Sequence, residues 1–133
     1  MITGLAHVCF NAENLDRALR FYCDTLGFKT AFDFVNAEGQ RFGVYLKVGP
    51  RVFIEIFQGS VQPAGPLTSF KHICLEVDDL PATVADLRGK GVEVSDPQLG
   101  CDQSWQAWLS DPDGNRIELH AYTAASWQSP WVE

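Results

Sequence analysis

The sequence has few basic residues, no closely spaced cysteine pair and no long hydrophobic run. Ten Lys and Arg stand against seventeen Asp and Glu, for a net charge of −7, which excludes nucleic-acid binding because that depends on clustered basic residues. No stretch is long enough to span a bilayer and no signal peptide is present, so we expect no membrane association and a cytoplasmic location. The four cysteines lack Cys-x-x-Cys spacing and are expected to be reduced thiols.

The rest of the composition is typical of one globular domain. Hydrophobic residues make up 46% of the 133 residues and charged residues 20%, which are ordinary values for a folded protein. A chain of this length buries roughly two thirds of its unfolded surface, so it does not need disulfides to fold. We therefore expect a single domain over residues 1–133.

Two residue types that bind metal ions each occur twice at nearly constant spacing. His7 and His72 lie 65 positions apart, and Glu55 and Glu118 lie 63 apart. Each His opens a strand-like run, His-Val-Cys-Phe in the first case and His-Ile-Cys-Leu in the second, and each Glu lies inside another such run. The similar separations predict one module used twice, which would bring all four side chains together.

Hydrophobic periodicity predicts the order βαβββ for module one, about residues 2–58. Alternating apolar residues predict its strands, at about 2–11, 28–35, 41–48 and 51–58. After the first strand, Asn14 can cap a helix with apolar residues at helical spacing, and Gly27 can end it. A linker rich in Gly and Pro is predicted at about 59–69.

The same order recurs in module two, about residues 70–122, and is followed by a tail at 123–133. Its predicted strands lie at about 71–77, 92–95, 104–110 and 115–122. The segment Asp78-Asp79-Leu80-Pro81 provides a cap and an early proline for the helix after the first of these strands, and Gly114 suits a tight turn between the last two. The predicted fold class is therefore α+β, with two βαβββ modules forming a concave sheet cavity.

Strand alternation predicts that the metal-binding residue types lie on the faces opposite the core. Glu118 alternates with Ile117 and Leu119, and His7 shares its face with Cys9. Two imidazoles and two carboxylates form a nitrogen and oxygen set suited to Ni, Co, Zn, Mn or Fe(II). We interpret the thiols on these faces as packing residues. The alternative is that the four residues are ordinary histidines and solvated glutamates.

The chain resembles the vicinal oxygen chelate superfamily of glyoxalase I, bleomycin-resistance proteins and extradiol dioxygenases, over nearly its whole length. The segments that carry the resemblance are Leu5-Ala6-His7, Leu19-Arg20-Phe21-Tyr22, Leu26-Gly27-Phe28, Lys71-His72-Ile73 and Asp111-Pro112-Asp113-Gly114-Asn115-Arg116-Ile117-Glu118-Leu119. The complete set of two His and two Glu is most similar to the glyoxalase I branch. The resemblance implies that His7, Glu55, His72 and Glu118 are the ligands of one divalent metal.

The resemblance also implies a metal-dependent lyase or isomerase, similar to lactoylglutathione lyase. Such an enzyme transfers a proton through an enediolate of a small α-hydroxycarbonyl substrate, with the metal as the Lewis acid. The resemblance assigns the role of catalytic base to Glu118, and Glu55 can share this role. Relatives of this size often pair their halves across a dimer, so we expect a homodimer.

The chain departs from the glyoxalase I pattern around the substrate. Asn11 stands where that branch carries an Arg for the glutathione carboxylate, and the Lys- and Gly-rich loop before the seventh strand is missing. Gln106 and Trp108 are expected to form part of the pocket wall. Arg116 lies two residues before Glu118 on the same face. It is either an anchor for a substrate anion or a solvated charge. These departures favour a substrate other than the glutathione adduct.

Two other functions compete with the lyase. An Fe(II) ring-cleaving dioxygenase would use two His and one carboxylate, and Glu55 would fill a position that such an enzyme keeps open. A non-catalytic drug-binding resistance protein would need only the cavity, with aromatic side chains stacked against the ligand. The side chains predicted to stack in that case are Phe53, Phe57, Trp105 and Trp108.

Overall fold

A computed structural model describes residues 1–132, and the last residue of the predicted tail, Glu133, lies outside the described residues. Contacts between Cα atoms divide the chain into two compact units, Met1–Gln62 and the residues from Pro63 onward. The first unit contains module one and the second contains module two. Within residues 1–132, none of the helices has the length and apolar character needed to cross a bilayer.

Module one has a four-stranded mixed sheet in the order β1-β4-β3-β2. Its elements are β1 (His7–Ala12), α1 (Leu15–Leu19), a π-helical segment (Arg20–Thr25), β2 (Lys29–Val35), β3 (Arg41–Lys47) and β4 (Phe53–Gln58). β1 runs parallel to β4, while β3 is antiparallel to both β2 and β4. The predicted βαβββ order is confirmed, although β1 begins at His7, where its pairing with Phe53 begins, rather than near residue 2.

The predicted helix of module one is present and changes its pitch midway. Asn14 caps it as predicted, since its side chain accepts a hydrogen bond from the Arg17 backbone N–H at 3.0 Å. In the π-helical part the turn widens, and the Leu26 N–H reaches the Phe21 carbonyl five residues back at 2.9 Å. Gly27, at φ 85°, ends the helix.

The core of module one lies between this helical segment and one face of the sheet. Its fully buried side chains include Tyr22, Val44, Leu46, Ile54 and Ile56. Burial of each aliphatic side chain contributes on the order of 2 kcal/mol to folding. Because β4 buries Ile54 and Ile56, its other face carries Phe53, Glu55 and Phe57.

Module two repeats this architecture with the sheet order β5-β8-β7-β6. Its elements are β5 (His72–Glu76), α2 (Leu80–Gly89), β6 (Gln98–Leu99), β7 (Trp105–Ser110), β8 (Arg116–Ala121) and a 3₁₀ turn (Ser129–Trp131). α2 begins after Asp79, which accepts a hydrogen bond from the Ala82 N–H at 2.9 Å, and it packs on β7 and β8. The fold class predicted from the sequence is confirmed in both modules.

The predicted strand at 92–95 is wrong, and the short strand β6 takes its place further along the chain. Residues 92–97 are irregular, and Pro97 lacks the N–H that a ladder position needs. Ser95 forms one backbone hydrogen bond to β7, in which its N–H donates to the Trp108 carbonyl at 2.9 Å. The Trp108 N–H donates to the Ser95 hydroxyl at 2.8 Å. A side chain thus replaces part of the backbone ladder.

Candidate functional site

His72 and Glu118 lie side by side in module two. β5 and β8 run parallel, with His72 opposite Arg116 and Cys74 opposite Glu118. The His72 Nε2 atom is 3.1 Å from Glu118 Oε2, and the Glu118 side chain is 13% exposed. The predicted pair is therefore in contact on the face opposite the buried Ile117 and Leu119.

A second histidine extends this pair. His120 Nδ1 donates a hydrogen bond to Glu118 Oε1 at 3.0 Å, and its Nε2 faces Asp102 Oδ2 at 4.0 Å. His120 is 8% exposed, and within residues 1–132 its Nε2 has no hydrogen-bond partner. Asp102 accepts hydrogen bonds from Gln128 and the Ser104 N–H, which lower the pKa of its carboxyl below the usual range. His120 thus holds one oxygen of Glu118 and leaves the other toward His72.

Module one contains the equivalent pair with a different support. His7 Nε2 lies 3.7 Å from Glu55 Oε1, and the Glu55 side chain is 17% exposed. The Tyr45 hydroxyl is hydrogen-bonded to His7 Nδ1 at 3.0 Å, which turns Nε2 toward the carboxylate. Tyr45 was not singled out in the sequence, although it pairs with Glu55 as Trp108 pairs with Glu118. Phe57 occupies the position that His120 has in module two.

Both thiols on these faces are exposed, so their interpretation as packing residues is wrong. Cys9 pairs with Glu55 in the strand register, and Cys74 pairs with Glu118. Ligand atoms of Cys74, Glu118 and His120 lie within 4.8 Å of one another. Loss of hydration, followed by the neighbouring carboxylate, raises the pKa of Cys9 to about 11 and that of Cys74 to about 12. Burial first and the neighbouring carboxylate second therefore favour the protonated form of both thiols.

We expect metal-free protein to react slowly with iodoacetamide at Cys74, because the thiolate is the nucleophile and is scarce below about pH 12. At pH 8.5, alkylation should be more than about 100-fold slower than for free cysteine. Peptide mass spectrometry after timed quenching measures this rate. Glu118→Gln should increase the rate at Cys74 and leave Cys9 unchanged, and Glu55→Gln should do the reverse. Equal effects of both variants on both thiols would contradict the prediction that each glutamate affects only its neighbouring thiol.

The predicted pocket residues take different places. Asn11 donates a side-chain hydrogen bond to the Ser60 carbonyl at 3.1 Å, which ties the end of β1 to the segment after β4. Gln106 and Trp108 share the face of Glu118, with Gln106 opposite His120 and Trp108 opposite Glu118. The Trp108 ring packs edge-on against His72, and the Arg116 guanidinium lies 4.8 Å above that ring. Arg116 therefore belongs to the surroundings of His72.

Aromatic rings line the Glu55 face of module one. Phe32 stacks on Tyr45 with centroids 4.8 Å apart, and Phe34 lies against Phe57 at 5.0 Å. A Cβ atom at Gly43 would lie 2.4 Å from the Phe57 ring, so this glycine makes room for it. These rings form an apolar surface beside His7 and Glu55.

The prediction that Trp105 and Trp108 would stack against the same ligand is wrong. Alternation along β7 puts Trp105 on the side of the buried Ala107 and Leu109, away from Trp108. It lines a separate cavity together with Leu80, Pro81, Tyr122 and other residues near the start of α2.

Sequence comparison finds relatives named as lyases. The chain is 32% identical over 121 residues to "Probable lactoylglutathione lyase" of Synechocystis sp., covering 86% of this chain and 92% of that protein. It is 30% identical over 122 residues to "Probable lactoylglutathione lyase, chloroplastic" of Arabidopsis thaliana, again over 86% of this chain. It spans only 35% of the length of the Arabidopsis protein.

Structural comparison finds the same fold with another role. TnmS3, an antibiotic binding protein from Streptomyces sp. CB03234, superposes with a TM-score of 0.73 at 28% identity, over 92% of this chain and 98% of that one. Residues 4–119 match the family model of the Glyoxalase/Bleomycin resistance protein/Dioxygenase superfamily. The chain belongs to this superfamily.

Proposed function

We propose that the chain is a divalent-metal-dependent lyase or isomerase of the glyoxalase I type, acting on a small α-hydroxycarbonyl compound. The observation that carries this proposal is the repeated pairing of an imidazole Nε2 with a carboxylate, at 3.7 Å in module one and 3.1 Å in module two. A binding protein needs no such pair, whereas a Lewis-acid enzyme needs nitrogen and oxygen ligands. The lyase names of its sequence relatives give further support.

The donor atoms fit a divalent cation. We propose His7, Glu55, His72 and Glu118 as the ligands of one cation, with Ni, Co, Zn, Mn and Fe(II) as the candidates for this mixed donor set. Both imidazoles present Nε2 to a carboxylate, and the hydroxyl of Tyr45 fixes the His7 ring through its other nitrogen. When bound, the cation would stabilise negative charge on two adjacent substrate oxygens.

Glu118 is the proposed base. With Oε1 held by His120, its Oε2 atom can accept a proton from the carbon beside the carbonyl and return it to the neighbouring carbon. Glu55 is the second candidate, and it lacks a histidine at the position of His120 because Phe57 stands there. The overall reaction is an isomerisation in which Glu118 takes a proton from one carbon and returns a proton to the next, and exchange of the carboxyl proton with solvent between these two steps would place deuterium in the substrate.

The substrate proposed is a hydroxycarbonyl other than the glutathione adduct. Asn11 uses its amide to hold Ser60 and provides no positive charge for a glutathione carboxylate. Trp108, Gln106 and Arg116 are the proposed contacts on the side of module two.

We also propose that the protein is a homodimer. Mixing His7→Ala protein with His72→Ala protein tests which chains supply the two pairs of one site. Recovery of metal binding in the mixture would assign the pairs of one site to different chains, whereas no recovery in mixed dimers would assign them to the same chain. Sedimentation velocity checks that mixed dimers form.

The test of the function is metal content together with proton exchange. We expect one divalent cation per proposed site by elemental analysis, and exchange of substrate C–H protons for deuterium by NMR over a panel of hydroxycarbonyls that includes the methylglyoxal–glutathione adduct. Exchange should stop on chelation and return on reloading. If no metal binds even after loading with Ni, Co, Zn and Mn, the enzyme proposal fails and a binding protein remains. Catechol cleavage with Fe(II) would indicate the dioxygenase instead.

A further inference from the structure

A basic cavity lies beside His72 within the second unit. It has a volume of about 530 Å³ and is lined by residues 64–66, Lys71, His72, Trp108 and Arg116. Two of its lining residues are basic, Lys71 and Arg116, and none is acidic, in a chain whose net charge is −7. Such a cavity favours an anionic ligand.

Arg116 is held in place without a carboxylate. Its guanidinium carbon lies 4.8 Å from the Trp108 ring centroid, and the Trp108 ring packs against His72 with centroids 4.8 Å apart. Within residues 1–132 no Asp or Glu forms an ion pair with Arg116, whereas Arg41 and Arg88 each pair with an aspartate. Stacking on the indole restrains the guanidinium, and its N–H donors stay available for a planar or tetrahedral anion.

Lys71 supplies the second charge. Its Nζ donates to the carbonyl of Gly65 at 2.8 Å and contacts that of Pro66 at 3.4 Å. These contacts fix the ammonium against the loop that forms the cavity wall. They neutralise none of its charge, so Lys71 adds to the attraction for an anion.

Module one shows that the fold does not require these charges. In the strand register His72 pairs with Arg116, and the equivalent His7 pairs with Phe53. The residue before each histidine is Lys71 in module two and Ala6 in module one. The same strand positions therefore accept neutral side chains, and the basic pair is a specific feature of module two.

We propose that this cavity binds an anionic group of the substrate, a carboxylate or a phosphate, through Arg116 and Lys71. This inference rests on the proposed function, because it places the anion next to a proposed metal ligand. His72 and Arg116 are neighbours on adjacent strands, about 5 Å apart. The substrate class is therefore a short hydroxycarbonyl acid or phosphate whose charged group lies close to the oxygens that bind the metal.

Matched hydroxamates test the inference on metal-loaded protein by calorimetry. Acetohydroxamate carries only the chelating head, and succinic acid monohydroxamate and 3-phosphonopropionohydroxamate add a carboxylate or a phosphonate. We expect at least one anionic chelator to bind about tenfold more tightly than acetohydroxamate in the wild type, and Arg116→Gln to reduce this ratio of affinities to within about twofold. Arg88→Gln changes an exposed arginine on α2 and should keep the wild-type ratio of affinities. The stronger of the two anions identifies the group.

A second measurement separates this inference from the metal proposal. On metal-free protein, inorganic phosphate or succinate should shift the Trp108 indole N–H signal, assigned with Trp108→Phe, and Arg116→Gln should abolish the shift. A shift with no metal bound on loading would support the anion site and refute the enzyme. Equal binding of the three hydroxamates, with no shift in the metal-free protein, would overturn the inference while leaving the metal proposal intact.

Discussion

Glu118→Gln is expected to reduce the rate of substrate C–H exchange by about 10³-fold at saturating metal. Glutamine keeps an oxygen beside His72, so the variant still offers a ligand atom, but its amide cannot accept the proton. In the wild type Oε2 lies 3.1 Å from His72 Nε2 and Oε1 is held by His120. The measurement is deuterium incorporation by NMR, with the metal content of each sample determined in parallel.

Two variants control for this result. Glu55→Gln alters the equivalent carboxylate. We expect it to lower the affinity for the metal and to have a smaller effect on the C–H exchange rate of metal-loaded protein, because no histidine orients Glu55 for proton transfer. Glu38→Gln changes a glutamate in the turn between β2 and β3 and should leave both unchanged. If Glu118→Gln exchanges protons within threefold of the wild-type rate while fully loaded with metal, Glu118 is not the base.

The fold could be predicted because its signals are periodic. Alternation set which face of β4 and β8 is buried, and the faces of Ile54 and Ile117 are those expected. Asn14 is the predicted cap of the first helix, and Asp79, the cap of α2, lies in the segment predicted to provide one. The ends of the strands were less certain, because they depend on where the partner strand begins, as at His7.

The strand at 92–95 failed for a different reason. Val92 and Val94 alternate as strand residues do. Alternation does not show, however, whether the backbone N–H and C=O groups of the neighbouring strand are available for pairing. The Ser95 hydroxyl already accepts the Trp108 N–H, and Pro97 cannot donate to a ladder. Local pattern alone therefore could not predict this segment.

The candidate site was predictable as pairs and not as a network. The duplication picked out each His and Glu, and each pair is in proximity, while their role as metal ligands stays a prediction. The supporting residues Tyr45 and Asp102 were missed because their role depends on side chains meeting across strands and loops. Comparing equivalent positions in the two modules would have suggested Tyr45, which matches Trp108.

Asp111→Ala is expected to destabilise the protein by about 3 kcal/mol. Asp111 is 6% exposed, and its Oδ1 accepts the backbone N–H groups of Asp113 at 2.9 Å and Asn115 at 2.8 Å. Its Oδ2 accepts the Asn115 side-chain N–H at 2.8 Å. Alanine would leave these donors without an acceptor in a turn that Gly114 closes at φ 81°. Urea unfolding followed by circular dichroism measures the change.

The turn between β2 and β3 offers a matched control in a solvated setting. There the Asn36 Oδ1 accepts the N–H groups of Glu38 at 3.1 Å and Gln40 at 2.9 Å, and these bonds are exposed. Because water can replace that acceptor, Asn36→Ala should cost only about 1 kcal/mol. Equal losses for the two variants would show that burial of the Asp111 turn does not strengthen its hydrogen bonds. A larger loss at Asp111 would show that burial strengthens the hydrogen bonds of the turn that joins β7 and β8.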